Sequence, residues 1–161
     1  ILIPHRSMKF ILRLILFLFL NFLALALGGL FTADGVSSEW YQTLNKAPWT
    51  PPGWVFGAAW TFLMICYAIY LAIVWNEQTR RKKNLALYAL QWVLNVSWNP
   101  IFFFHHQDIL GLINLILLSI VIIGTAIINV KSYRAATVLI LPYIIWLCIA
   151  TSLNMFISLN N

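Results

Sequence analysis

The side chains best suited to recognising a ligand lie inside the most apolar parts of the chain. Gln91, Asn95, Trp98, Asn99 and Phe102 are related by spacings of three or four residues, as are Pro142, Trp146, Ala150 and Asn154, and Trp60, Met64 and Tyr67. Such spacings put each set on one face of a helix. Primary amides donate and accept hydrogen bonds, and indoles offer broad apolar faces with one N–H donor. The chemistry they imply is noncovalent: a flat apolar molecule covered by rings and oriented by a few amides. Nothing in the apolar runs combines a nucleophile with a base, so no catalytic residue is assigned. His105, His106 and Asp108 could be imagined as a metal pair, but they read better as a hydrated loop. Cys66 and Cys148 fall within apolar runs and read as small hydrophobes, not as a disulfide or metal ligands, so no metal site is expected.

The elements that must position these residues follow from composition. Of 161 residues 62% are hydrophobic and only 9% charged, too few charges to present a water-facing surface. Five apolar segments emerge, at about 10–30, 54–75, 85–104, 109–130 and 135–157. Each is close to the roughly 20 residues that cross about 30 Å of hydrocarbon as a helix. Continuous apolar runs lack the alternation of a membrane barrel, and lipid forbids irregular exposed backbone. The sequence therefore predicts an all-α, single-domain integral membrane bundle of five transmembrane helices. Ile1–Ser7 precede Met8, which reads as an alternative natural start. The stretch after Met8 is too long for a signal peptide and reads as a span.

Charge sets the expected orientation. The amino-terminal segment, the second–third connection and the fourth–fifth connection hold nine of the ten basic residues, leaving only Lys46 for the other side. The excess predicts a cytoplasmic amino terminus and an external carboxyl terminus. It also accounts for the net charge of +6 through membrane lipid, without a nucleic-acid partner. With these directions Trp60, Asn95 and Trp98 lie in the outer half, Trp146 near the middle, and Ala150 and Asn154 beyond it toward the outer side. They lie beneath a long first connection, about 31–53, rich in Trp, Tyr and Pro. Two readings stand at this point. The polar residues either hydrogen-bond neighbouring helices, with tryptophans marking the interface, or they line an aromatic cavity with amide anchors. Pro142 removes one helical hydrogen bond and marks a place for a kink.

Three stretches carry a resemblance: WYQTLNKAPWTPPGWVFGAAW from Trp40 to Trp60, LNVSWNPIFF from Leu94 to Phe103, and PYIIWLCIATSLN from Pro142 to Asn154. Their order and spacing resemble the tryptophan-rich sensory protein family, also called the translocator protein or peripheral benzodiazepine receptor family, in a bacterial-type form. The match runs through most of the chain from Trp40 onward. The resemblance implies a five-helix bundle, often a homodimer, in a bacterial cell membrane. It implies a pocket for protoporphyrin IX or haem, or another flat apolar small molecule, with no obligatory cofactor. By similarity that pocket uses Tyr41, Trp49, Trp60, Met64, Asn95, Trp98, Asn99, Trp146 and Ala150. A phenylalanine often stands in the family where this chain has Met64. The animal cholesterol motif, a tyrosine followed by a basic residue late in the fifth span, is absent here, and cholesterol is not carried over. The function implied is a tetrapyrrole-binding sensor or regulatory protein. The alternatives are light- and oxygen-dependent porphyrin degradation, or porphyrin transport, although no inverted repeat is evident.

Overall fold

A computed structural model describes residues 5–76 and 79–161, with side chains from Met8 onward. Ile1–Ser7, including the Arg6 side chain of the charge count, therefore falls wholly or partly outside the described residues. The first helix, α1, spans His5–Ser37. At about 1.5 Å per residue it is longer than a bilayer's hydrocarbon is thick. It reaches seven residues past the boundary expected from hydropathy, because Thr32–Ser37 contain no helix-breaking proline and Thr32 Oγ1 bonds back to the Gly28 carbonyl at 3.1 Å. Ser38 then starts the short helix α2 (Glu39–Thr43), its hydroxyl accepting from the Tyr41 N–H at 3.2 Å. The long connection is thus partly helical, and only residues 44–52 form a non-helical strap, with a turn closed by Thr50 N–H to the Ala47 carbonyl at 2.9 Å.

Helix α3 (Gly53–Val74) begins directly after Pro51-Pro52, where a missing N–H leaves no helical bond unmade. Helix α4 (Arg81–Asn99) meets Pro100, which has no N–H to continue the ladder. The chain answers with a π-helical turn, Pro100–Phe104, closed by His105 N–H to the Pro100 carbonyl at 2.9 Å. His106, at φ 55°, turns the chain into α5 (Asp108–Val130). The last span is interrupted: α6 (Arg134–Thr137), a 3₁₀ turn at Val138–Ile140, then α7 (Leu141–Asn160). Pro142 lies in the first turn of α7, where its missing N–H is harmless. The irregularity expected at Pro142 therefore falls just before it, in the 3₁₀ turn.

The helices alternate in direction, and paired contacts at both ends fix this. At the basic end Arg13 of α1 hydrogen-bonds Asn76 just after α3. There too Asn84 of α4 and Asn129 of α5 exchange amide bonds at 3.0 and 3.4 Å. At the opposite end Thr32 of α1 donates to Asn99 of α4 at 2.7 Å, and Asn154 of α7 donates to the Asp108 carbonyl of α5 at 2.8 Å. In cross-section α1 lies between α3 and α4, α4 packs on α5, α5 on α7, and α7 closes back on α3 with the least extensive contact.

The packing is inverted relative to a water-soluble bundle in one respect. Tyr67, Tyr70, Tyr143, Met64, Leu118 and Ile122 are buried at the centre. Outward faces, however, present Phe19, Ile120, Ile127 and Ile145, each at least 60% exposed. Apolar surface so continuous needs a hydrocarbon solvent. Among the described residues four helical segments are long and apolar enough to cross a bilayer: Met8–Ser37, Gly53–Val74, Asp108–Val130 and Arg134–Asn160. Helix α4 is of comparable length but falls short in apolarity, because Arg81, Lys82, Lys83, Asn84, Gln91, Asn95 and Asn99 all lie on it. Its amides are turned inward: Asn84, Gln91 and Asn95 are buried.

Candidate ligand site

Three expected residues meet around one that was not anticipated. The Tyr143 hydroxyl, fully buried in the first turn of α7, accepts from Gln91 Nε2 at 2.9 Å and Asn95 Nδ2 at 2.8 Å. Trp60 sets its ring edge-on to Tyr143 with centroids 5.8 Å apart. Trp146, one turn further along α7, is buried and meets Phe56 of α3 edge-on at 5.5 Å. Asn95, Trp60 and Trp146 thus come from three helices toward one level near the middle of the bundle. Tyr143 joins them because it precedes Trp146 by three residues and shares its face. A phenol inside an apolar run at that spacing was the available signal.

A second aromatic group lies above the first. Trp98 stacks on Phe102 at 5.0 Å with planes 13° apart, and its N–H donates to Asn154 Oδ1 at 3.2 Å. Both Phe102 and Phe103 come from the π turn and are buried. Tyr41 of α2 packs on Phe103 at 5.4 Å, and the Lys46 ammonium sits 4.6 Å from the Tyr41 ring centroid. Trp40 stacks on the exposed His106 ring at 4.3 Å. The histidine thus serves as a lid over an indole.

The strap runs across α7. Trp49 is exposed, donates to Ser152 Oγ at 3.2 Å, and meets Phe156 edge-on at 5.4 Å. Asn45 is held at both backbone polar atoms by the Asn161 side chain, at 2.8 and 3.3 Å. Ala150, half-buried on the same face of α7 as Trp146, packs against the central core. One expected residue faces elsewhere: Asn99 turns to α1, accepting from Thr32 and lying against Gly28. Met64 is fully buried in the central core with Tyr67, Tyr143 and Trp146, while its backbone carbonyl accepts from Asn21 of α1 at 3.0 Å. Helical spacing alone could not assign Asn99, because α1 also packs against α4.

Several buried polar atoms lack a hydrogen-bond partner among the described residues. At the first level they include the Trp146 indole N–H and Gln91 Oε1. A buried polar group without a partner costs roughly 1–3 kcal/mol, so these are the atoms with most to gain from a ligand. Outside the spans, burial raises the pKa of the Tyr41 phenol above 10.0. The neutral phenol is the form that packs on Phe103, so this contribution to stability is complete below pH 10.0 and fades as pH rises through the raised value. Tyr41→Phe is therefore expected to leave tyrosinate absorbance at pH 10.0 nearly unchanged in the folded protein. A clear drop would mean that the phenol is hydrated.

Comparison with other proteins agrees with this architecture. The profile of the TspO/MBR family matches residues 16–159. The tryptophan-rich protein TspO of Archaeoglobus fulgidus is 37% identical over 135 residues, covering 83% of this chain and 87% of its own. The tryptophan-rich sensory protein of Cereibacter sphaeroides is 37% identical over 142 residues, covering 85% and 87%. The human translocator protein is 33% identical over 131 residues, covering 79% and 78%. An alternating helical bundle with four membrane-length apolar helices among the described residues, a tryptophan-bearing strap and a match through nearly the whole chain lead to one assignment: this membrane protein belongs to the TspO/MBR family.

Proposed function

We propose that the chain is a five-span membrane sensor that binds a tetrapyrrole such as protoporphyrin IX or haem in its outer half, between α3, α4 and α7. One observation carries this reading: the Trp146 ring is buried between helices while its N–H has no partner among the described residues. A carbonyl or carboxylate on a flat ligand would satisfy it, and the Trp60 and Trp98 rings supply apolar cover. Lys46, above the Tyr41 ring, is the nearest cation for an acidic edge. The strap is the part that would yield, since its Trp49 and Asn45 contacts are exposed. Relatives bear the names sensory protein and translocator protein. Sensing fits better, because Tyr143, Gln91 and Asn95 close the middle of the bundle.

In this reading α4 is the fifth span, its amides satisfied inside the bundle. The amino terminus faces the cytoplasm, and two copies pair in the membrane. Trp146→Phe keeps a ring and removes the N–H. It is expected to weaken protoporphyrin IX binding by about tenfold, in line with the loss of one buried hydrogen bond. The check is fluorescence titration of the purified protein in lipid nanodiscs. Unchanged affinity would remove Trp146 from the site and leave the proposal without its main support.

A further inference from the structure

The basic end holds a second arrangement that the ligand site does not use. Arg80 donates to Ser132 Oγ at 2.8 Å, tying the connection before α4 to the connection after α5. One turn deeper Asn84 and Asn129, 1% and 0% exposed, exchange side-chain amide bonds across the same two helices. These two links hold Arg81, Lys82 and Lys83 on one side of a seam and Lys131 and Arg134 on the other. All five of these side chains are exposed. Of the four acidic residues in the chain, Asp34, Glu39 and Asp108 lie at the opposite end. The fourth, Glu77, lies outside the described residues. The seam therefore concentrates five exposed cations where the spans leave the hydrocarbon, with Glu77 the one acidic residue in the adjoining sequence.

A scatter of basic residues would orient the protein without a defined site. Here buried amides fix the spacing of the two helix ends that carry the cations, so only the side chains have to be ordered when an anion arrives. The apolar sides of α4 and α5 just below, with Leu85 and Ile127 exposed, suit acyl chains. We infer that the Arg81–Lys83 and Lys131–Arg134 seam is a binding site for the phosphate headgroup of an anionic membrane phospholipid. The two loops grip the phosphodiester from either side while its chains lie along α4 and α5. The inference is independent of the outer ligand site.

The test is native mass spectrometry of the full chain released from vesicles of equal phosphatidylcholine and phosphatidylglycerol. The wild-type protein should retain phosphatidylglycerol preferentially. Arg81→Gln and Arg134→Gln should each reduce that preference about fivefold, the effect expected of one cation at a membrane surface. Lys9→Gln removes the same charge from α1, outside the seam, and should leave the preference within about twofold. Circular dichroism confirms that the exposed substitutions leave the fold intact. Equal losses in all three variants, or no preference in the wild-type chain, would overturn the site. Displacement of the lipid by inorganic phosphate, but not by chloride of the same ionic strength, would assign the seam to a soluble anion and overturn the lipid assignment.

Discussion

Tyr143→Phe is expected to destabilise the bundle by about 2–4 kcal/mol, although it removes a single oxygen. That oxygen receives N–H donors from both Gln91 and Asn95, which are 1% and 5% exposed. Without it two amides remain desolvated with no nearby acceptor. Each such loss costs roughly 1–3 kcal/mol in a protein interior, and less where a membrane-embedded unfolded state also finds partners. Ring packing on Trp60 and Tyr67 would survive, since phenylalanine retains the ring. The measurement is thermal unfolding in one fixed detergent. Removing the amides together, as Gln91→Leu with Asn95→Leu, should make the further change Tyr143→Phe much less costly. A cost for Tyr143→Phe that is the same in both backgrounds would show that the hydroxyl acts through other groups.

The second large effect concerns the glycines of α1. Gly35→Ala should cost about 1–3 kcal/mol, the usual range for overpacking. A methyl group there would overlap the Cβ and ring of Phe103, which are anchored in the π turn and cannot swing aside. Gly29→Ala is the internal control, because its Cβ meets nothing within 4 Å. It should be neutral or stabilise the helix by up to about 1 kcal/mol. Gly28→Ala should fall between them, since its obstruction is the movable amide of Asn99. Thermal midpoints of the three variants give the order directly. Equal tolerance at Gly28, Gly29 and Gly35 would mean that α1 does not approach α4 and the π turn as closely as described.

Most of the helical frame was legible in the sequence because hydropathy and length are strong signals in a membrane. The α3 and α5 boundaries lie within one residue of expectation, since Pro51-Pro52 and Asp108 mark them sharply. The α1 boundary was not legible, because α1 continues as a polar helix beyond its apolar run. The meeting of some candidate residues was legible in outline. Asn95, Trp60 and Trp146 share a level because helical spacing and alternating direction are enough to place them. What spacing could not give is which neighbour claims a residue. Asn99 is one turn from Asn95 yet engages α1, and that choice depends on the order of helices around the bundle. Tyr143 was hidden for a different reason: a tyrosine beside Pro142 reads as ordinary packing until two amides from another helix are seen to end on it.

The wide turn at Pro100–Phe104 has a consequence for the length of the chain. A π turn holds one residue more than the α-helical turn it replaces. Here the surplus lets the adjacent residues Phe102 and Phe103 both be buried, one stacked on Trp98 and the other against Gly35. Deleting a single residue from this turn would restore ordinary helical register and swing one of the two rings toward lipid. An in-frame deletion of one residue is thus a change that would dismantle this aromatic group through register alone, leaving every tryptophan in place.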